Sequence, residues 1–345
     1  MYSDLRKELY AAECEHVAAL NSYSSTEDID IEINRISLKF CENFTDLAIK
    51  SVNSILELVQ PIELTAEFLK STRSLDHSLG NDISENEFYL SRNFVEELLN
   101  VDLSRTKWLH LKNIHRENAE GFCVTCEDDN HHIYTQDDPN GILSTDLLVH
   151  ELGHAADSTV SRSFNNDALI VRHQSLAEAI AYYCQFKYLL KFGNKSQRKG
   201  VFGGFHLTYL SIATLRYCLS NDIQLDELDV NVALKDIELK AIIDSYLLEG
   251  IDGFSFISDK LMNIKNTHPD LISLIYNEIS PRFGIVLAIY LLDKDADFIK
   301  GVILENSLQN DIASIVYRLE PNYHEIIGNL QFKLQDFFIG EASNK

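Results

Sequence analysis

The sequence contains few residues that interrupt helices. Five prolines and 14 glycines occur in 345 residues, whereas average usage is about 5% proline and about 7% glycine. Both residue types are unfavourable inside helices, and a sheet-rich fold with many turns uses more of them. Their scarcity therefore favours a mainly α protein with long helices.

Positive charge is also scarce. The chain has 30 basic and 53 acidic residues, which gives a formal net charge of −23. Binding to nucleic acid requires a clustered basic surface that neutralises phosphates. The one basic run, residues 187–199, is typical of a solvated helix end. We therefore expect no nucleic-acid partner.

No long apolar run occurs. The longest uninterrupted apolar stretch, residues 284–292, is much shorter than the roughly 20 residues that span a bilayer. Asp4, Arg6 and Lys7 interrupt the start of the chain, so no secretory signal is predicted. The sequence predicts a cytoplasmic protein without a membrane partner, and export without a cleaved signal is the alternative.

The six cysteines are scattered along the chain without the spacing of a secreted disulfide scaffold. This distribution predicts reduced thiols. One segment superficially matches a zinc-binding motif, because Cys123 and Cys126 are followed by His131 and His132. The gap between the two pairs is shorter than in zinc fingers, so we predict no second metal there.

The apolar residues recur with helical periodicity over most of the chain. This pattern runs through residues 33–59, 177–192, 207–219, 232–248, 271–292 and 312–338. Residues 121–135 differ, because short β-prone runs flank the turn residues 127–130, as in a hairpin. Residues 137–141 form a second predicted turn.

These patterns predict a mainly α, multi-helix fold with a small antiparallel β element before the next helix. We divide the chain into an N-terminal helical part, residues 1–120, and a catalytic part, residues 121–345. The catalytic part contains the hairpin, the metal-binding helices and the C-terminal helices. The two parts are expected to form one continuous unit.

The chemistry is indicated by the segment that follows the hairpin. Ser144 or Thr145 is expected to cap a helix on which His150 and His154 lie four residues apart. At this spacing the two imidazoles share one helix face and can bind one metal ion. Glu151 lies beside them, where a carboxylate can take a proton from a metal-activated water. This is the HExxH arrangement of zinc peptidases.

A catalytic zinc needs a third protein ligand. Glu178 is an acid in an apolar helical segment, a costly placement unless a cation neutralises it. It is the predicted third ligand, which gives one zinc per chain. His173, in the preceding loop, is the second candidate. Asp157 lies too close to His154 on the same helix to complete a tetrahedron comfortably.

These residues resemble a known family. Four segments of this sequence show the similarity: Gly121-Phe122-Cys123, Ile133-Tyr134, residues 147–154 and Ala177-Glu178. Together these segments are similar to the core of the oligopeptidase F and thimet-oligopeptidase group, which consists of gluzincin-type zinc metallopeptidases. In that group a small sheet leads into HELGH, and a glutamate ligand follows at an offset similar to the 24 positions between His154 and Glu178 here. The resemblance is strong over residues 121–183. It implies a mostly helical zinc peptidase that binds peptides along a strand edge.

Two departures from the family affect the expected substrate and site. Family members are longer, and their additional N-terminal helices enclose a narrow channel, so we expect a more open cleft that accepts a larger protein segment. The family also places a histidine and tyrosines late in the chain to stabilise the oxyanion. The candidates here are His268 with Tyr276, which is the predicted pair, and His206 with Tyr209.

The sequence thus predicts a zinc metalloendopeptidase that hydrolyses oligopeptides or an extended protein segment. Glu151 is the predicted general base and then acid, and strand residues 133–136 are expected to offer their edge to the substrate. One alternative is a non-catalytic helical zinc-binding interaction protein, which has no use for Glu151. The other alternative is a zinc hydrolase of a non-peptide amide.

Overall fold

The described chain is mainly helical and contains one three-stranded sheet. The structure is a computed structural model, and it describes residues 4–41, 43–72, 83–112, 120–136, 144–164, 166–328 and 330–339. The predicted fold class is therefore confirmed. The second predicted turn, residues 137–141, lies outside the described residues.

The part of the chain before the sheet is helical. Its described helices are α1 (Asp4–Asn21), α2 (Glu27–Leu38), α3 (Phe44–Val59), α4 (Ala66–Thr72) and α5 (Glu85–Leu99). The apolar periodicity of residues 33–59 suggested one helix, and this was wrong because Asn43 adopts a left-handed conformation with φ of 60° between α2 and α3. Asparagine is one of the few residues that enter this region readily.

The sheet has the order β1-β3-β2. Its strands are β1 (Lys107–Leu111), β2 (Gly121–Cys126) and β3 (Asn130–Gln136). The predicted antiparallel hairpin is present as β2 and β3, whereas the parallel pairing of β1 with β3 was not predicted. Because β3 is the central strand, the prediction that residues 133–136 offer a free edge is wrong. The outer strand beside the following helix is β2.

The rest of the described chain is helical. The longer helices are α6 (Thr145–Ser163), α7 (Gln174–Phe192), α9 (Phe205–Ser220), α11 (Ile237–Leu247), α12 (Gly253–Thr267), α14 (Ser280–Leu291), α15 (Ala296–Glu305), α16 (Ile312–Leu319) and α18 (Leu330–Ile339). The shorter ones are α8 (Lys195–Gly200), α10 (Val230–Ala233), α13 (Leu271–Leu274) and α17 (Tyr323–Ile327), with 3₁₀ turns at Asp167–Leu169 and Leu225–Glu227. The predicted run 232–248 is split between α10 and α11, and the run 312–338 is interrupted near Pro321, which lacks a helical N–H donor.

Helix α7 lies between α6 and α14 in the core. At the first interface, a Cβ built on Gly153 of α6 would lie 2.7 Å from the Cα of Ala181 on α7. The two helices therefore approach more closely than any side chain at position 153 would allow. This close approach brings the histidines of α6 next to α7.

One apolar helical run has the length of a membrane span. It covers Leu271–Leu291 and consists of α13, a π-helical turn (Ile275–Ile279) and α14, which follow one another without a break. These 21 residues are apolar enough to cross a bilayer. This run is longer than the apolar stretch evident in the sequence. In its most apolar 18-residue window, 61% of the segment is buried inside the protein, so most of the apolar surface packs against the core.

The main hydrophobic core draws on both predicted parts of the chain, from Val52 and Leu99 to Leu152 and Phe283. A disulfide adds a further link between them, because Cys14 of α1 is bonded to Cys126 at the end of β2. The prediction of reduced thiols is wrong for this pair. The two cysteines are 112 positions apart, so local spacing contains no sign of the bond. The other four cysteines are thiols.

Candidate metal centre and its cleft

Helix α6 presents the two histidines of the HExxH segment. The helix begins at Thr145 with Ser144 as its N-cap residue, although the Ser144 hydroxyl makes no capping hydrogen bond. His150 and His154 lie one turn apart on the same face, with ring centroids separated by 4.9 Å. Both imidazoles therefore reach the same point beside the helix.

Helix α7 brings Glu178 to that point. His150 Nε2 lies 3.5 Å from Glu178 Oε2, and His154 Nε2 lies 3.6 Å from Glu178 Oε1. Donor atoms on a tetrahedral zinc ion are separated by about 3.4 Å when the bonds are about 2.1 Å long. The three side chains therefore fit one zinc ion. Within the described residues, no other group of three metal-ligating side chains has this convergence.

Burial and mutual interaction set the charges of the three groups. Burial lowers the pKa of His154 to about 4, so this imidazole is neutral near pH 7. Burial also acts to lower the pKa of His150, but the hydrogen bond that its ring donates to Glu178 and the charges of Glu151 and Glu178 outweigh it and raise the pKa. For Glu178, burial acts to raise the pKa, and the two histidines outweigh it and lower the pKa. Glu178 is therefore an ionised carboxylate.

The triad faces a cleft of about 480 Å³. One wall is strand β2, and the other is formed by α6, by Glu178 of α7 and by Arg172 just before that helix. Glu151 lies in the lining beside the histidines and is 5% exposed. The lining contains the carboxylates of Glu151, Asp157 and Glu178 against the single guanidinium of Arg172. This excess of negative charge in a largely buried site matches a divalent cation.

Asp157 has a different partner from the triad. It lies on α6 beyond His154, is 1% exposed, and accepts a hydrogen bond from the Arg172 guanidinium. Burial raises the pKa of Asp157, and the charge of Arg172 opposes this shift. Its carboxylate therefore neutralises Arg172 at one end of the cleft.

His173, the second candidate for the third ligand, lies outside the cleft lining. Its Nδ1 is 3.0 Å from the Ser51 hydroxyl, and its Nε2 is 2.8 Å from the backbone oxygen of Asn310. Both ring nitrogens are therefore engaged in contacts that join α7 to α3 and to the loop after α15.

Neither predicted oxyanion pair lines the cleft. His268 Nδ1 is 3.3 Å from the Ser273 hydroxyl, and its Nε2 is 3.7 Å from Glu278. Tyr276 lies in the π-helical turn and is 42% exposed. The role of His268 and Tyr276 stays a prediction.

The second pair is engaged in the core. His206 Nε2 lies 2.7 Å from the Tyr246 hydroxyl, and the Tyr209 hydroxyl accepts a hydrogen bond from the Leu64 amide. Both rings are buried. These contacts explain the buried positions of His206 and Tyr209 without any role in the cleft.

Sequence reasoning missed three residues next to the triad. The Tyr182 ring packs edge-on against His150 with centroids 4.6 Å apart, Gln185 contacts His150 Nδ1, and Gly284 of α14 lies against Glu178. Tyr182 and Gln185 follow Glu178 by four and seven positions, which places all three on one face of α7. That spacing was the available signal. No local sequence pattern pointed to Gly284, because α14 is far from α7 in the sequence.

Comparison with known proteins gives one fold likeness. No protein-family model matches the sequence, and no curated protein matches it. A solved structure described as "a putative oligoendopeptidase F from Bacillus anthracis str. Ames" aligns with 92% of this chain at 13% identity and a TM-score of 0.44. The alignment covers 64% of that protein, so this chain spans less than two thirds of its length.

Proposed function

We propose that the protein is a zinc-dependent peptidase in which His150, His154 and Glu178 bind the metal and Glu151 acts on the water. The observation that carries this proposal is the convergence of two histidine Nε2 atoms and a carboxylate within 4.8 Å of one another. A further carboxylate, that of Glu151, lies next to them in the same cleft. A structural zinc site has no need of that fourth group.

The chemistry follows from the positions of these side chains. A zinc ion bound there would polarise the substrate carbonyl and lower the pKa of a water molecule towards neutrality. Glu151 takes the proton from the water and passes it to the leaving amine. Because Glu151 is almost fully buried, packing restricts its carboxylate to the side of the cleft where this transfer occurs.

The substrate we propose is an oligopeptide or an extended protein segment that binds along β2. Gly121 and Thr125 lie at the two ends of the part of β2 that lines the cleft. Four residues of extended chain span about 13 Å, enough to align several substrate residues with the triad. An outer strand can add a peptide strand through backbone hydrogen bonds.

Location and stoichiometry are part of the same proposal. We expect one zinc per chain and no nucleic-acid partner, given the net charge of −23. Cytoplasmic location was the expectation from the sequence. The Cys14–Cys126 disulfide supports the export alternative, because such bonds persist mainly in oxidising compartments.

The test is Glu151→Gln, which preserves side-chain shape and removes the proton acceptor. Zinc content should equal that of the wild type, and peptide turnover should fall about 10²–10⁴-fold, as for loss of a general base. Glu15→Gln, an exposed site on α1, is the matched control and should change neither quantity. Wild-type turnover in Glu151→Gln would contradict the mechanism. Bound zinc without cleavage of any peptide in a library would favour the non-catalytic alternative.

A further inference from the structure

Behind His150, a chain of hydrogen bonds leads away from the cleft. His150 Nδ1 lies 3.2 Å from Gln185 Oε1, and Gln185 Nε2 donates to Asp146 Oδ2 at 2.8 Å. All three side chains are buried. Neither Gln185 nor Asp146 has a role in the chemistry proposed above.

The carboxylate fixes the direction of every hydrogen bond in this chain. An ionised carboxylate only accepts hydrogen bonds, so Gln185 must turn its NH₂ group to Asp146 and its carbonyl oxygen to His150. A carbonyl oxygen also only accepts, so His150 Nδ1 must carry the hydrogen. The other ring nitrogen, Nε2, lies 3.5 Å from Glu178 and is the atom that would offer its lone pair to a bound metal ion.

The two helices place this chain next to the metal ligands. Asp146 and His150 are one turn apart on α6, and Glu178 and Gln185 are two turns apart on α7. Asp146 and His150 therefore share one helix face, and Glu178 and Gln185 share the face opposite. The close packing of α6 on α7 at Gly153 holds these faces together.

We propose that Gln185 and Asp146 are positioning residues that hold His150 as its Nδ1–H tautomer and direct the Nε2 lone pair towards the metal. The proposal rests on the metal site proposed above. Residues that hydrogen-bond to a metal ligand without touching the metal commonly increase metal affinity. Substituting them typically weakens metal binding by about 10–100-fold.

Zinc affinity is the first measurement. Gln185→Met keeps the length of the side chain and removes both hydrogen bonds, so we expect the zinc dissociation constant from chelator competition to rise about 10–100-fold. Asp146→Asn should weaken zinc binding in the same direction, because an amide no longer dictates the orientation of Gln185. The double variant should bind zinc no more weakly than Gln185→Met, since Asp146 acts through Gln185. Gln174→Met, an exposed glutamine on α7, should bind as the wild type does.

The tautomer itself is the second measurement. Nitrogen-15 spectra of the histidine rings in the zinc-loaded protein report which ring nitrogen carries the hydrogen and which binds the metal, and a merely structural role would leave this signal unchanged. We expect the Nδ1–H form for His150 in the wild type and loss of that preference in Gln185→Met; if this variant does not fold, Asp146→Asn decides. Absence of zinc binding in the wild type would contradict the proposed function and the positioning role with it, whereas the outcomes that follow contradict the positioning role alone. An Nε2–H tautomer in the wild type, or unchanged affinity and spectra in the variants, would overturn it.

Discussion

Gly284 of α14 packs against the side chain of Glu178 on α7. A Cβ built on Gly284 would lie 2.4 Å from the Cβ of Glu178 and 2.8 Å from the backbone oxygen of Ser175. No side chain fits between them. A side chain at position 284 would therefore displace α7, the helix that carries Glu178.

Substitution of this glycine should disturb the metal site. Gly284→Ala must push α14 and α7 apart, so we expect zinc affinity to fall at least tenfold and the free energy of unfolding to fall by about 1–3 kcal/mol from overpacking. The measurements are chelator competition and urea unfolding. Gly301→Ala is the matched control, because a Cβ there has nothing within 4 Å and alanine is the better helix former. Equal zinc affinity in Gly284→Ala and Gly301→Ala would contradict the assigned role.

The disulfide should be detectable and stabilising. Thiol titration of the denatured protein should find four thiols without reductant and six with it. Reduction should lower the free energy of unfolding by about 2–4 kcal/mol, because it releases a long loop in the unfolded chain. The variant with Cys14→Ser and Cys126→Ser should not respond to reductant. Six reactive thiols in the untreated protein would show that the bond does not form.

His131 should make the stability depend on pH. It is fully buried between the hydroxyls of Thr125 and Thr159, and burial lowers its pKa from 6.5 to about 3. The unfolded chain takes up a proton below pH 6.5 and the folded protein does not. Stability is therefore full above pH 6.5 and falls by about 1.4 kcal/mol per pH unit as the pH drops towards 3.

The control for this effect is His131→Gln, which does not titrate. Urea unfolding of both proteins at pH 7.5 and pH 5 isolates the contribution of His131, since all other groups are shared. The wild type should lose about 2 kcal/mol more than the variant between these pH values. An equal loss in both proteins would mean that His131 is protonated in the folded state.

The predicted oxyanion donor is tested by removing one hydroxyl. If Tyr276 acts as predicted, Tyr276→Phe should lower kcat about 10²–10³-fold with little change in KM or Tm, as for loss of a preorganised donor. Tyr182→Phe is the comparison, because the Tyr182 ring packs against His150. Normal turnover in Tyr276→Phe would contradict this prediction. A large loss of turnover in Tyr182→Phe, His206→Ala or Tyr209→Phe would then assign the stabilisation of the oxyanion to the residue changed in that variant.

The local features of the fold and site were predictable from the sequence. His150 and His154 share a face because of helical periodicity, and the hairpin of β2 and β3 follows from turn residues between two short runs. The strand β1 was not predictable in this way. Its parallel pairing with β3 joins segments that are separated in the chain, and it makes β3 central, which moves the accessible edge to β2.

The residues that support the metal site required the tertiary structure. Asp146 lies in the first turn of α6, and its bond to Gln185 depends on the packing of α6 against α7. Gly284 was evident only as the start of an apolar run, and its contact with Glu178 depends on the packing of α14. Pairs of this kind have no fixed separation in sequence, so periodicity does not reveal them.

The central claim is that His150, His154 and Glu178 together bind one zinc ion. Elemental analysis of the purified wild type, Glu178→Ala and His173→Ala tests it most directly. We predict one zinc per chain in the wild type and in His173→Ala, and loss of zinc in Glu178→Ala. Unchanged zinc content in Glu178→Ala, together with loss in His173→Ala, would contradict the assignment and place the third ligand at His173.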